Sequence, residues 1–225
     1  MARGNCGIAT DVRDSTLATA RMRIVGLTFK LVLNSVDGMR KLTVFNQISV
    51  DGYFRTPGGD SAWMHQQDDD AEFNEFTASN ARGGGALLFG RTTYEMMASF
   101  WPTPAAAEQF PVVAKQMNSL PKVVFSRTLK KVSWNNTRLA KGDPVAEVRR
   151  MKNEPGEQMV IMGSGTIVSQ LMPAGLIDEY QFVVIPVVLG EGKTMFEGTR
   201  MLNLTLTKSR TFRNGKAFLV YEPKA

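Results

Sequence analysis

Three short apolar runs in this 225-residue chain each end in a small, polar or basic turn. Leu87-Leu88-Phe89 runs into Gly90-Arg91-Thr92-Thr93-Tyr94-Glu95. Thr92 and Glu95 stand at capping-box spacing, which predicts a helix starting at Thr92; its free N–H groups and positive dipole end favour a nearby phosphate, and Arg91 adds a fixed charge. Val123-Val124-Phe125 runs into Ser126-Arg127-Thr128, a hydroxyl beside a guanidinium that suits a phosphate monoester through charge-assisted hydrogen bonds. Val160-Ile161-Met162 runs into Gly163-Ser164-Gly165-Thr166, where glycine lets backbone come close to a pyrophosphate. Each turn taken alone is equally an ordinary capped or solvated turn, and the third lacks the further glycine and lysine of other phosphate loops. Together they suit a dinucleotide carrying an additional phosphate. Its pyrophosphate would meet Gly163, Ser164, Gly165 and Thr166, and its extra phosphate Arg127, helped by Arg91. In open α/β sheets ligands bind beyond the carboxyl ends of the strands.

The elements that must carry these turns are legible from pattern. Leu42, Val44, Ile48 and Val50 recur at period two and mark a strand that stops at Asp51-Gly52. Arg55 to Ser61 is a loop by its Pro and Gly content, and Asp68 to Ala81 reads as a helix with acidic residues in its first turn. Ala86–Phe89, Lys122–Phe125 and Met159–Met162 are short buried strands. Thr93–Ser99, Ala105–Met117, Pro144–Lys152 and Ile167–Met172 are helical. Asp178–Leu189 is long, apolar and β-branched, with Pro186 implying a bulge or edge. Arg210–Arg213 and Ala217–Tyr221 flank Asn214-Gly215, a strong hairpin signal. The expectation is an α/β domain, a mostly parallel central sheet flanked by helices with a C-terminal antiparallel hairpin.

Residues 1–38 mix Gly, Thr, Ser and Arg without sustained periodicity, and Lys30 interrupts their one apolar stretch. They read as a poorly ordered N-terminal extension or an upstream mis-start, with 39–225 as the working domain; an added strand is the competing reading. No apolar run approaches the roughly 20 residues needed to span a bilayer. One cysteine, Cys6, and one histidine, His65, leave no internal disulfide and little material for a metal site, so the chain suits a reducing cytoplasm and metal-free chemistry. The net charge is +6, but it forms neither a basic stripe nor the aromatic interleaving used for nucleic acid.

From about Met39 to its end the chain resembles the dihydrofolate reductase superfamily. It looks closest to the branch holding the reductase domain of the riboflavin-pathway deaminase–reductase and its stand-alone bacterial homologues. The resemblance rests on Ile48-Ser49-Val50-Asp51-Gly52, Leu88-Phe89-Gly90-Arg91-Thr92-Thr93-Tyr94-Glu95, Phe125-Ser126-Arg127, Ile161–Thr166, Leu176–Tyr180 and Pro186–Gly192. It implies a non-Rossmann, dihydrofolate reductase-like sheet, NADPH as cofactor, hydride transfer to a small pterin-like or pyrimidine-like substrate, and a homodimer. A homologue that binds the nucleotide without turnover is the alternative.

The resemblance also implies that the loop from Asp51 to Ser61 borders the nicotinamide. Asp51 would orient substrate or hold the loop, and a turn aspartate bonding local backbone is the plainer reading. Trp63 resembles the tryptophan ahead of the helix lining the pterin pocket, with packing alone as the alternative. For the acid that assists protonation, spacing from Trp63 favours Asp68, while the Asp70-Ala-Glu-Phe73 pattern favours Asp70; capping and solvation also explain the acidic run. The riboflavin-pathway reductases typically carry a lysine straight after the Asp-Gly pair, where this chain has Tyr53.

Overall fold

The computed structural model describes residues 21–24, 27–30, 39–60, 62–65, 70–82 and 85–224, in two units, Met1–Gly38 and Met39–Ala225. In the first, β1 (Arg21–Ile24) and β2 (Leu27–Lys30) pair antiparallel. The rest of that segment lies outside the described residues, and so does the expectation that it lacks order.

The second unit begins with β3 (Leu42–Ser49) and the short β4 (Tyr53–Arg55), followed by a 3-10 turn at Ala62–His65 and α1 (Ala71–Arg82). A strand–helix unit follows, β5 (Ala86–Gly90) and α2 (Arg91–Phe100). The single helix expected over Ala105–Met117 is two, α3 (Pro104–Gln109) and α4 (Pro111–Ser119). Pro111 explains the break. It lacks an N–H and drives the residue before it out of the helical region, and Phe110 sits at φ −135°, ψ 60°.

Next come β6 (Lys122–Phe125), β7 (Thr137–Ala140), α5 (Pro144–Lys152), β8 (Met159–Met162) and α6 (Gly165–Leu171). The chain closes with β9 (Glu179–Ile185), the two-residue β10 (Lys193–Thr194), β11 (Leu204–Thr211) and β12 (Ala217–Pro223). β9 is shorter than its apolar pattern suggests because Pro186 cannot donate to a ladder.

Eight strands form one sheet in the order β11-β12-β9-β3-β8-β5-β6-β7. From β9 to β7 all neighbours are parallel, while β12 runs antiparallel to both β9 and β11. The mostly parallel sheet with a terminal hairpin is therefore present. Its strands alternate between two packed faces. Leu42, Val44, Leu88 and Ile161 meet Val148 and Met151 of α5 and Ile167, Val168 and Leu171 of α6. On the opposite face, Leu87, Phe89 and Val124 pack with Tyr94, Met117 and Trp134, and a further cluster joins Trp63 and Phe73 to Val183 and Phe218. Because β8, β5 and β6 are adjacent and parallel, their carboxyl ends lie side by side on one edge of the sheet.

Candidate functional site: a cleft at the carboxyl ends of the sheet

A cleft of about 1260 Å³ opens along that edge, and all three turns line it. The first turn departs from expectation. Helix α2 starts at Arg91 with Gly90 as N-cap, so Thr92 is already inside the helix and caps nothing. The Gly90 N–H donates to Ser164 Oγ at 2.7 Å, and Ser164 Oγ and Ile167 lie at ordinary contact distance, 3.4 and 3.5 Å, from where a side chain would begin. Arg91 lines the cleft and meets Glu95 at 3.3 Å one helical turn on, an exposed pair of little energetic consequence.

In the second turn the Ser126 hydroxyl is occupied, accepting from Leu129 N at 3.0 Å and Thr128 N at 3.3 Å. Ser126 thus fixes the turn that presents Arg127. Arg127 is exposed, lines the cleft, and has no ion pair among the described residues.

The third turn carries two consecutive left-handed residues, Gly163 (φ 62°) and Ser164 (φ 63°). Gly163 must be glycine, since an added Cβ would sit 2.8 Å from Thr93 Cγ2. Ser164 is a non-glycine residue in a conformation that costs about 1–3 kcal/mol and persists only where surroundings enforce it. Those surroundings are the Gly90 N–H and burial to 6% exposure. Its hydroxyl therefore ties the ends of β5 and β8 together, and Gly165 and Thr166 are left to face the cleft.

Sequence reasoning missed a fourth segment, Lys141-Gly142-Asp143 after β7. Phe125 pairs with Ala140 in register, so Lys141 follows a strand adjacent to the one that presents Arg127. Asp143 is spent as the N-cap of α5, accepting from Val145 N at 3.3 Å and Ala146 N at 3.1 Å. The signal was weak because Thr-Arg-Leu-Ala makes a poor apolar run; β7 is an edge strand.

The other half of the cleft is built from β3, the loop after β4 and the segment around β10. Phe45, Asn46 and Gln47 lie where β3 outruns β8, whose ladder ends at Phe45↔Met162. Arg55 and Lys193, paired in register across β4 and β10, stand on its rim with Phe54, Asp60 and Met64 nearby. Among the described residues, two buried side-chain polar atoms lack a hydrogen-bond partner: Gln47 Oε1 and Trp63 Nε1. Such an atom costs roughly 1–3 kcal/mol when left unmade.

The two candidate acids are placed elsewhere. Asp51 is absent from the cleft lining; its carboxylate accepts from Gly190 N at 2.7 Å and from Leu189 N at 3.2 Å. The Ser49 hydroxyl and those amides hold its carboxyl below the ordinary value. This is the loop-holding role. Asp70 caps α1, accepting from Glu72 N at 2.9 Å and Phe73 N at 3.1 Å, and clasps the β11–β12 turn through Asn214 N at 3.1 Å. Burial works against its charge, yet the N–H groups of Phe73, Asn214, Glu72 and Arg213 outweigh it and hold the carboxyl below its usual value. It borders a separate shallow hollow with Pro186 and Gly215. Trp63 is buried in the core against Phe73 and Val183 rather than lining the cleft. Asp68 lies outside the described residues.

Comparison with known proteins fits this geometry. Residues 40–218 match the family model described as the RibD C-terminal domain. The Bacillus subtilis protein YyaP is 27% identical over 183 residues, 81% of this chain and 94% of its own. A Shewanella sp. PV-4 protein associated with riboflavin biosynthesis superposes with a TM-score of 0.61 at 24% identity, covering 82% of this chain and 99% of that one. Dihydrofolate reductase from Enterococcus faecalis, in a complex with NADP(H), superposes with a TM-score of 0.53 at 16% identity over 82% of this chain and 97% of its own. At these identities the structures establish a shared fold.

Proposed function

The chain belongs to the RibD C-terminal domain family, and from that premise we propose that it is an NADPH-dependent reductase acting on a small pterin-like or pyrimidine-like molecule. The observation that carries the reading is the convergence of Arg127, Lys141 and the Gly163–Thr166 turn on one cleft, with neither cation paired to a carboxylate among the described residues. That donor set fits a phosphorylated dinucleotide. Arg127, with Lys141 beside it, takes the ribose phosphate through charge-assisted hydrogen bonds. The glycine turn admits the pyrophosphate to close backbone contact, and Arg91 adds charge at the neighbouring strand end. The cleft also exceeds the roughly 300–1,000 Å³ of ordinary small-molecule pockets, which leaves room for a second molecule.

When bound, NADPH supplies the hydride. The chain supplies placement: Phe45, Phe54 and Met64 give a largely apolar wall on the substrate side, and β3 offers backbone at its unpaired edge. With Asp51 and Asp70 committed to backbone N–H groups, this reading takes the proton from water in the open cleft. The same commitment favours a second reading, a nucleotide-binding protein without turnover.

Following NADPH absorbance at 340 nm across a panel of reducible heterocycles and carbonyl compounds separates the two. Turnover with any member supports the reductase. NADPH binding without oxidation throughout supports the second reading, and absence of NADPH binding removes both. The reading also makes the chain half of a homodimer in the cytoplasm; sedimentation equilibrium tests the first point, with a single-chain mass contradicting it.

A further inference from the structure

Among the described residues eight large apolar side chains stand exposed, and four of them fall in one stretch: Phe196, Met201, Leu202 and Leu206. The stretch belongs to one face of the sheet. Leu206 pairs in register with Tyr221 and Tyr221 with Tyr180, so the three share a side across β11, β12 and β9. It is the α5–α6 side, because Tyr180, Phe182, Leu204 and Tyr221 belong to the same packed cluster as Val148 of α5 and Ile167 of α6. Phe196 lies over that side, its ring 6.0 Å from Tyr180 and 6.1 Å from Phe182. Lys224 N donates to Asn203 O at 2.9 Å, which carries the ladder back past Leu204 and sets Leu202 on the same side by alternation. The outer end of this face is bare: seven of the eight residues of β11 are exposed. It is also preformed, since Thr199 N and Oγ1 both donate to Phe196 O, at 3.1 and 2.7 Å.

A free side chain of this size presents roughly 200 Å². With Met201 91% exposed, Leu206 51%, and Phe196 and Leu202 37% each, the four leave about 400 Å² uncovered. A standard interface buries about 800 Å² per partner, and about 56–65% of that is apolar. The four side chains therefore supply most of the apolar area a stable pair needs, before the half-buried Leu204, Leu219 and Tyr221 are added. Edge-to-edge extension of the sheet is disfavoured, because β11 carries a bulge between Leu206 and Lys208 and the charges of Lys208 and Arg210. The contact is made by the face. In the same stretch Glu197 and Arg200 are exposed, carry opposite charges and have no ion pair among the described residues, so the surface complements itself.

We propose that the face made by Phe196, Met201, Leu202, Leu204, Leu206 and Tyr221 packs against the same face of a second copy of this chain about a two-fold axis. Thr194 and Glu197, on either side of Phe196 in the chain, line the cleft, so the second copy backs one of its walls. The inference rests on the homodimer part of the functional reading and adds the surface that makes it.

The test combines sedimentation equilibrium of the full chain with the initial rates at which dilute peroxide oxidises its methionines, read by peptide mass. A two-chain mass is expected, with Met201 oxidising more slowly than Met96 although Met201 is 91% exposed in the single chain and Met96 44%. Leu206→Glu is expected to raise the dissociation constant at least tenfold, to make Met201 the faster of the two, and to leave the thermal transition unchanged. A single-chain mass overturns the inference, and so does a two-chain mass in which Met201 oxidises faster or which Leu206→Glu leaves as tight. Should Leu206→Glu lose its cooperative thermal transition, the mass and the methionine order of the unaltered chain decide. A pair formed through another surface defeats this inference and leaves the homodimer standing, and failure to bind NADPH defeats the reductase reading and leaves the contact standing.

Discussion

The two ends of the parallel sheet use the same residue types in opposite ways. At the amino ends the cations are committed. Lys122, 1% exposed, donates to Leu120 O at 2.7 Å and Met117 O at 2.8 Å and lies 4.5 Å from the Trp134 ring centre. Lys152, 6% exposed, pairs with Asp178 and donates to Leu176 O at 3.2 Å. Lys41 bridges Glu179 at 3.0 Å and Glu222 at 3.3 Å. At the carboxyl ends Arg127 and Lys141, with Arg55 and Lys193 of the β4–β10 pair, line a cleft without an ion pair among the described residues, while Arg91 there meets only the exposed Glu95. The difference teaches that charge alone does not mark a site in this molecule. Cations with partners inside the fold hold it together, and those left without partners are available to a ligand.

Substitutions at the two ends should therefore separate stability from binding. The largest effect is expected from Asp178→Ala, which strands the buried Lys152 ammonium and removes the acceptor of Leu42 N. Breaking a buried pair costs about 3–5 kcal/mol; Asp178 is 35% exposed, so a loss of about 3 kcal/mol is expected in urea unfolding. Nucleotide affinity should hold, and a parallel loss of affinity would break the contrast. Arg127→Ala should do the reverse. A charge-assisted contact is worth about 1.5–3 kcal/mol, so NADPH binding should fall roughly tenfold to a hundredfold in calorimetry while NADH binding and thermal stability stay put. Equal losses for both nucleotides would remove Arg127 from the phosphate.

Gly163→Ala should register on both axes. The left-handed conformation costs a residue with Cβ about 1–2 kcal/mol, and the new methyl would press on Thr93 Cγ2. A fall in melting temperature together with several-fold weaker NADPH binding is expected, and loss of neither would show that the turn is looser than its geometry suggests.

The smallest effect concerns an exposed network belonging to neither end. Arg150 and Arg138 hold the Glu147 carboxyl down at about 2. Its folded value lies below its unfolded one, so its contribution is present above about pH 4.5 and is lost as pH falls toward 2. Glu147→Gln should flatten that part of the acid-unfolding profile by less than about 1 kcal/mol. A larger change would place this network among the groups that hold the fold.

Much of the frame was legible because it follows from local rules. Lys122–Phe125, Pro144–Lys152 and Met159–Met162 have the boundaries that their sequence patterns announce. The three turns were legible because an apolar strand that runs straight into Gly or Ser, before a helix in two of the three, leaves a mark in one stretch of chain. What escaped depends on distant partners. Asp70 is clasped by Asn214, 144 residues away, and Asp51 by Gly190, 139 residues away, so neither carboxylate could be told from a catalytic one by spacing. Ser164 was expected to touch ligand because nothing local shows that Gly90 claims its hydroxyl. Thr92 has the spacing of a cap to Glu95, yet the helix begins one residue earlier, at Arg91, with Gly90 as N-cap and no side-chain cap bond. Lys141 was missed because β7 takes its strand character from pairing with β6 rather than from its own side chains.

Calorimetric titration of the unaltered protein with NADPH and with NADH tests most directly whether the unpaired cations at the carboxyl ends serve a ribose phosphate. One NADPH per chain, bound at least tenfold more tightly than NADH and with an affinity that falls as salt rises, is the expected result. Equal affinity for the two nucleotides, or binding of neither, would contradict it.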